Sequence, residues 1–379
     1  MFKIGVVGYG VRVKHMVDEF QKTGECELSA IVDPRREEIA SELKESGDGD
    51  VSFYDNMEDM VNIGKVDAIA IGTRCSLHAK IGAEAIKYGL PIFLEKPVAI
   101  DEEGLDILEN ALNENPSMKE KIVVSFPLRL TNLVKCVKEI IDSGKLGKIE
   151  HVQAYNNVPY GRGYYHKWYR DESETGGLWL QKATHDFDYI NHILGLKPVK
   201  ICAMKSKQIF KGDMPPGLKC KDCDKQFACP ESKRNVESYG DAYSIGEWCC
   251  FAEDTGNEDS GSAIILYESG MHAVYSQDFI VRKGAGKRGA RFIGYKGTVE
   301  FDWTKDTATV YMHNEDKTET YKFGAKKGHG GGDEALAKSF VRVLQGENSD
   351  ARIEDGILSA RMCLAAKKSS ETFTFVDVK

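Results

Sequence analysis

Lys3-Ile4-Gly5-Val6-Val7-Gly8-Tyr9-Gly10 is the stretch on which the fold turns. Ile4 to Val7 has no polar alternation, as expected of a strand covered on both faces. Two glycines follow at once, and a helical pattern begins by residue 13. Strand, glycine turn and helix in that order are the context of a dinucleotide fingerprint. Gly8 permits the tight turn. Gly10 lets backbone N–H groups around Tyr9 and Val11 approach a pyrophosphate at the helix N-terminus. The third glycine of the fingerprint falls at Val13, so helix–strand packing there must be adjusted. Arg12 can add a cation near the phosphates. Asp33 ends the next expected strand, where an acid grips a ribose 2′-hydroxyl. That favours NAD over NADP, although Arg35 and Arg36 can pair with a 2′-phosphate. The turn alone fits equally well a different doubly wound protein in which Asp33 caps a helix.

Outward from this stretch, short β-rich runs at 3–7, 28–32, 68–71, 92–94 and 122–125 alternate with helical patterns at 13–20, 36–45, 77–87 and 104–113. Such alternation predicts βαβ units and a doubly wound parallel sheet, an α/β domain over 1–128. Beyond it the pattern changes. A helix at 133–142 is followed by strands at 261–267, 271–278, 290–294, 297–302, 307–312 and 318–323, mostly through short turns. That is antiparallel behaviour, and 129–379 reads as an α+β domain ending in helices at 333–344 and 355–370. Residues of about 206–250 form a long cysteine-bearing insertion, a length that needs a reason.

The 379 residues are 41% hydrophobic and carry a formal charge of −8. Two cores can be filled, and a nucleic acid or an anionic membrane is a poor partner for such a charge. A small substrate is expected instead. Strand-like sequence from the first residues leaves no room for a leader peptide, and no apolar run reaches about 18 residues. A cytoplasmic protein is the expectation, with most of the ten cysteines reduced.

Further motifs carry a resemblance. Gly8-Tyr9-Gly10, Asp33, Gly72-Thr73 with His78, Glu95-Lys96-Pro97, and Gly176-Gly177 followed by His185 and Asp188 resemble the Gfo/Idh/MocA oxidoreductases. Glu-Lys-Pro just after a late strand of the parallel sheet is the most specific element. The resemblance implies an N-terminal Rossmann domain and a C-terminal domain built on a large, mostly antiparallel sheet. It implies an NAD(P) cofactor, with Thr73 and His78 lining the nicotinamide side and Glu95 and Lys96 bordering nicotinamide and substrate. Pro97 in the family often follows a cis peptide. Homo-oligomers, dimers or tetramers, are usual there.

The activity implied is oxidation of a secondary hydroxyl on a sugar, glycoside or cyclitol. His185 is the expected base, since an unperturbed imidazole titrates near about 6.5, and Lys96 would stabilise a developing alkoxide. Gln181 stands where many relatives keep an aspartate. Helical spacing puts Gln181, Lys182, His185 and Asp188 near one face. Lys182 either reaches solvent or adds a second ammonium to the site. Tyr165, Trp168 and Arg170 form an aromatic and basic stretch suited to sugar rings, or pack under a loop. Two other classes stay open: a redox-neutral, NAD-dependent glycosidase, and a non-catalytic dinucleotide-binding accessory protein. The insertion carries Cys220, Cys223 and Cys229, then Cys249-Cys250. Three thiolates with Cys250, or with Cys249 instead, would make a structural zinc or iron–sulfur site. Free or partly disulfide-bonded thiols are the alternative.

Overall fold

Six short strands make the first sheet: β1 (Phe2–Val7), β2 (Cys26–Val32), β3 (Ser52–Phe53), β4 (Ala68–Ile71), β5 (Ile92–Leu94) and β6 (Ile122–Val124). All pair in parallel, in the order β3-β2-β1-β4-β5-β6. The computed structural model describes residues 1–46, 51–238, 246–324 and 327–378. The chain divides into two compact units, the first being Met1–Asn132 with Lys326–Ala360, the second Leu133–Ala325 with Arg361–Lys379.

The first unit is built as its sequence dictates. β4 is buried at every position, which suits an interior parallel strand with helices on both faces. Helix α1 (Val11–Lys22) follows β1 and buries Val13, Met16, Val17 and Phe20, the three- and four-residue spacing of a core-facing stripe. Phe20 meets Phe93 on β5 at 5.1 Å and Phe340 at 5.0 Å between ring centres. Phe340 lies on helix Lys327–Leu344, so residues from far along the chain complete this core. Helical periodicity at 333–344 does not signal which core the helix serves.

The missing third glycine is compensated from the opposite side. A Cβ on Gly72, just past β4, would come within 2.4 Å of Val13 Cβ. The bare position that the fingerprint puts on the helix has moved to the strand end. Gly72→Ala is therefore expected to cost about 1–3 kcal/mol by overpacking, read by urea unfolding. Val13→Gly in the same chain should relieve the clash, with a coupling above about 1 kcal/mol in the double-mutant cycle. A cost below about 0.5 kcal/mol, the range of a neutral surface change, would remove this account.

The second unit holds nine strands: β7 (Ile149–Asn157), β8 (Pro198–Ser206), β9 (Ser260–Tyr267), β10 (His272–Asp278), β11 (Lys287–Gly294), β12 (Gly297–Asp302), β13 (Thr307–Met312), β14 (Thr318–Lys322) and β15 (Val376–Asp377). Their order is β14-β13-β12-β11-β7-β10-β9-β8-β15, antiparallel except for β7 with β10. Alternation sets the faces. Val152, Ala154, Ala263, Ile265, Ala273, Tyr275 and Phe292 are buried on one side. Tyr275 packs against Phe187 at 5.2 Å and Trp179 at 6.3 Å, from the segment that carries His185. Gly261 makes room there, since a Cβ on it would strike the Trp179 ring at 2.7 Å.

The insertion runs from the end of β8 to the start of β9, and residues 239–245 within it lie outside the described residues. Contacts within the chain tie down its described residues. Asp259 accepts from the backbone N–H of Gln208, Ile209 and Phe210. Arg162 grips Glu231 in a fork at 2.7 and 3.1 Å. Phe210 and Cys250 join an apolar cluster with Val158, Tyr165, Leu178 and Phe279. The expected four-thiolate centre does not form: among the described residues no group of three or more His, Cys, Asp or Glu side chains is arranged to hold a metal ion. Cys220, Cys223, Cys229, Cys249 and Cys250 are all free thiols. Cys250 is 1% exposed, and burial pushes its thiol, with those of Cys220 and Cys249, above the ordinary value.

Candidate functional site

In the first unit the strand order reverses between β1 and β4, and ligands of open α/β sheets bind at such a switch point. Gly8 lies at φ 79°, a left-handed conformation that favours glycine. A Cβ on it would meet the Thr73 backbone at 2.7 Å, so the turns after β1 and β4 touch. Gly10 is the N-cap of α1 and has no capping side chain. The open first turn therefore presents N–H groups and the positive end of the helix dipole. Val11 is its first residue. Turn and open helix end together fit a bound dinucleotide.

Asp33 supports that turn. One oxygen accepts from Tyr9 N at 2.8 Å, the other from Arg35 N at 2.8 Å. Arg35 folds back on it through Nε at 3.2 Å and Nη2 at 3.1 Å, and also donates to Tyr9 O at 3.0 Å. Burial alone would raise the Asp33 carboxyl, but these N–H groups and the guanidinium hold it below the usual range.

Arg12 departs from expectation. Its guanidinium turns to Glu95 at 3.3 Å and Asp333 at 2.6 Å, not toward the α1 turn. Asp333 also accepts from His15 at 3.1 Å and His329 at 2.9 Å. Burial works against its charge, yet His329 and Arg12 hold its carboxyl well below the ordinary range. Glu95, 4% exposed, is raised by burial, against the pull of Arg12 and Lys96. Lys96 follows β5 at the carboxyl edge of the sheet, and the Lys96–Pro97 peptide is cis.

His78 is a brace. It is 2% exposed, with Nδ1 2.8 Å from Pro97 O and Nε2 3.2 Å from Thr73 O. Burial, with Lys96 nearby, drops its imidazole to about 4. It shapes both loops, and its ring offers no face to a ligand. This corrects its expected place on the nicotinamide side; Thr73 itself is half-buried.

In the second unit, Gly176 (φ 73°) and Gly177 (φ 98°) turn the chain into a wide helical turn, Trp179–Ala183, continuous with helix Thr184–Leu194. Thr184 N reaches back five residues to Trp179 O. Wide turns of this kind recur at functional sites, and the regular helix expected from 180 onward begins only after it. Gln181, Lys182, His185 and Asp188 are all buried, at 3%, 6%, 7% and 2% exposure. Lys182 Nζ donates to Tyr160 Oη at 2.6 Å, so it does not merely reach solvent.

Between Lys182 and Asp188 lies Asp186, fully buried, which sequence reasoning passed over. It accepts from Arg288 Nε at 2.8 Å, Asn156 Nδ2 at 2.9 Å and Tyr275 Oη at 2.9 Å. Its partners come from three strands far apart in sequence, and no local pattern announces them. Two expected substrate contacts are structural instead. Tyr165 is 0% exposed, stacked 3.9 Å from Phe210, with its hydroxyl on Glu258 O. Arg170 is 5% exposed and binds Asp254 and Thr255, pinning the end of the insertion. Trp168 is half-buried and stacks on Tyr169 at 4.0 Å.

Comparison with known proteins adds two family matches. Residues 2–119 match the description "Oxidoreductase family, NAD-binding Rossmann fold", and residues 134–300 match "GFO/IDH/MocA C-terminal domain". The rhizopine catabolism protein MocA of Rhizobium meliloti is 24% identical, covering 76% of this chain and 89% of its own. The myo-inositol 2-dehydrogenase of Thermotoga maritima is 21% identical, covering 97% and 96%. A levoglucosan dehydrogenase, solved with NADH and levoglucosan, superposes with a TM-score of 0.79 at 17% identity, covering 100% of this chain and 99% of that one. No helix among the described residues is long and apolar enough to cross a membrane.

Proposed function

The chain belongs to the Gfo/Idh/MocA oxidoreductases, with their NAD-binding Rossmann fold, and from that premise we propose that it oxidises a secondary hydroxyl of a sugar, glycoside or cyclitol. The observation that carries the reading is the glycine turn and open α1 end beside a lysine at the carboxyl edge of the same sheet. Bound there, NAD would supply the hydride acceptor. Gly8, Tyr9, Gly10 and Val11 would cradle its pyrophosphate through backbone N–H groups. Lys96 would hydrogen-bond the reacting hydroxyl and stabilise negative charge developing on it. His185 would take the proton. Gln181, Lys182, Asp188 and Trp168 are proposed to contact the substrate's other hydroxyls. Support for the substrate class comes from the inositol and levoglucosan dehydrogenases among its relatives. Ten free cysteines accord with a reducing cytoplasm, where we place the reaction, and a homo-oligomer is proposed on the family's habit.

Asp33 with Arg35 folded onto it favours NAD over NADP, because the carboxylate repels a 2′-phosphate. Asp33→Ala frees Arg35, half-exposed, to meet that phosphate. The expected result is about a tenfold narrowing of the NAD preference, measured as dissociation constants for both dinucleotides. An unchanged ratio would count against this role. The activity itself is tested on a panel of cyclitols, monosaccharides and glycosides with NAD, following NADH absorbance. Net NADH supports the dehydrogenase. Glycoside cleavage without NADH would establish the redox-neutral route, and dinucleotide binding with no turnover an accessory role.

A further inference from the structure

Burying a charge costs free energy unless an opposite charge or hydrogen bonds answer it. Lys182, in the wide turn before His185, is 6% exposed. Its Nζ donates to Tyr160 Oη at 2.6 Å and lies 4.7 Å from the Tyr160 ring centre and 5.9 Å from that of Tyr164. Aromatic rings offset part of the lost hydration. An ammonium carries three donors, however, and among the described residues the Tyr160 hydroxyl is the acceptor that meets it. Asp186, the carboxylate closest in sequence, is committed to Arg288, Asn156 and Tyr275. Among the described residues no carboxylate pairs with Lys182. Tyr160, which covers the ammonium, is 42% exposed, so the charge lies near the surface.

We propose that Lys182 makes this a site for sugar acids, its ammonium receiving a carboxylate of the substrate. The proposal rests on the dehydrogenase reading above and puts a carboxylate where one of the other hydroxyls was assigned. Lys182 and His185 are buried three residues apart on one helical segment, a spacing that makes side chains neighbours. A substrate whose reacting hydroxyl meets His185 therefore turns a group farther along its ring toward Lys182. A carboxylate there takes the N–H donors that Tyr160 leaves over and neutralises the charge in place. Lys182 is half of a buried ion pair, and the substrate supplies the other half.

The count of charges favours a carboxylate over a phosphate ester. Asp186 already balances Arg288, which leaves the single charge of Lys182 to answer. A carboxylate carries one negative charge, whereas a phosphate monoester carries roughly −1.5 to −2 near neutral pH and is held best by arginine forks and backbone N–H groups. A neutral sugar gains least, because its hydroxyl accepts from the ammonium but leaves the charge unbalanced. The plainer alternative is that Lys182 only pins Tyr160. That role predicts lost stability on its removal and no preference between an acid and its neutral parent.

The test uses the whole 379-residue chain with NAD and matched pairs: D-glucuronate with D-glucose, D-galacturonate with D-galactose, and glucose 6-phosphate beside them. In at least one pair kcat/KM should be about a hundredfold higher for the acid. Lys182→Met should bring that ratio to within about threefold of unity, chiefly through loss on the acid, and Lys182→Arg should restore most of it. A neutral sugar or cyclitol used as well as any acid overturns the proposal and leaves the dehydrogenase reading standing. So does a phosphate ester used better than either acid, or an equal loss on both members of a pair in Lys182→Met. If nothing in the panel yields NADH, the dehydrogenase reading fails on its own. Calorimetric titration with the same pairs then decides, and binding of the acid no tighter than of its parent overturns the anion site. If Lys182→Met does not fold, the wild-type ratios decide alone.

Discussion

Lys96→Ala is expected to lower turnover by about a thousandfold while leaving NAD affinity within about twofold, and His185→Ala to do nearly the same. The two effects have different origins. An alcohol oxygen gains charge only as its C–H bond breaks, so an ammonium beside it stabilises the transition state more than the bound substrate. Loss of such a group falls on kcat with little change in KM. Loss of the base leaves the proton to water, and a higher pH should recover part of the rate in His185→Ala. Binding is spared because backbone N–H groups at Gly8–Gly10 and α1 make the proposed cradle. Dinucleotide titration by fluorescence and steady-state kinetics separate the two quantities. The double variant should lose no more than a few-fold beyond either single one, since groups acting on the same hydroxyl are not additive. Full activity in either variant would end its assigned role.

What could be read from the sequence was local. β1, the glycine turn and α1 are adjacent residues, and Glu95-Lys96-Pro97 sits directly behind a strand, so motif and place coincide. Six strands of the second sheet, β9 to β14, were legible because they alternate and mostly follow one another through short turns. What escaped depends on partners distant in sequence. Arg12 beside a glycine turn looks like a phosphate ligand, yet it binds Asp333, 321 residues away. Val13 looked like a defect in the fingerprint because Gly72, which answers it, lies on another strand. Tyr165 and Arg170 are residue types found equally under loops and in sugar sites, and only burial separates those uses. The cysteine spacing suggested a shared metal, whereas Cys250 is drawn into the apolar cluster around Phe210.

Asp186→Ala is expected to destabilise the second unit by about 3–5 kcal/mol, the usual cost of removing one partner from a buried ion pair. It strands the Arg288 guanidinium, whose Nε donates to Asp186 at 2.8 Å, and takes the acceptor from Asn156 and Tyr275. Against a typical total of about 5–15 kcal/mol, that loss approaches the folding limit. Arg288→Met should cost less, because Asn156 and Tyr275 still donate to the carboxylate that remains. Replacing both, Asp186→Leu with Arg288→Met, should recover much of the stability, since a well-packed apolar pair often matches a buried ion pair. Urea unfolding followed by the fluorescence of buried Trp179 measures all three. A loss below about 1 kcal/mol for Asp186→Ala, in the range of an exposed pair, would show that the pair does not hold this core.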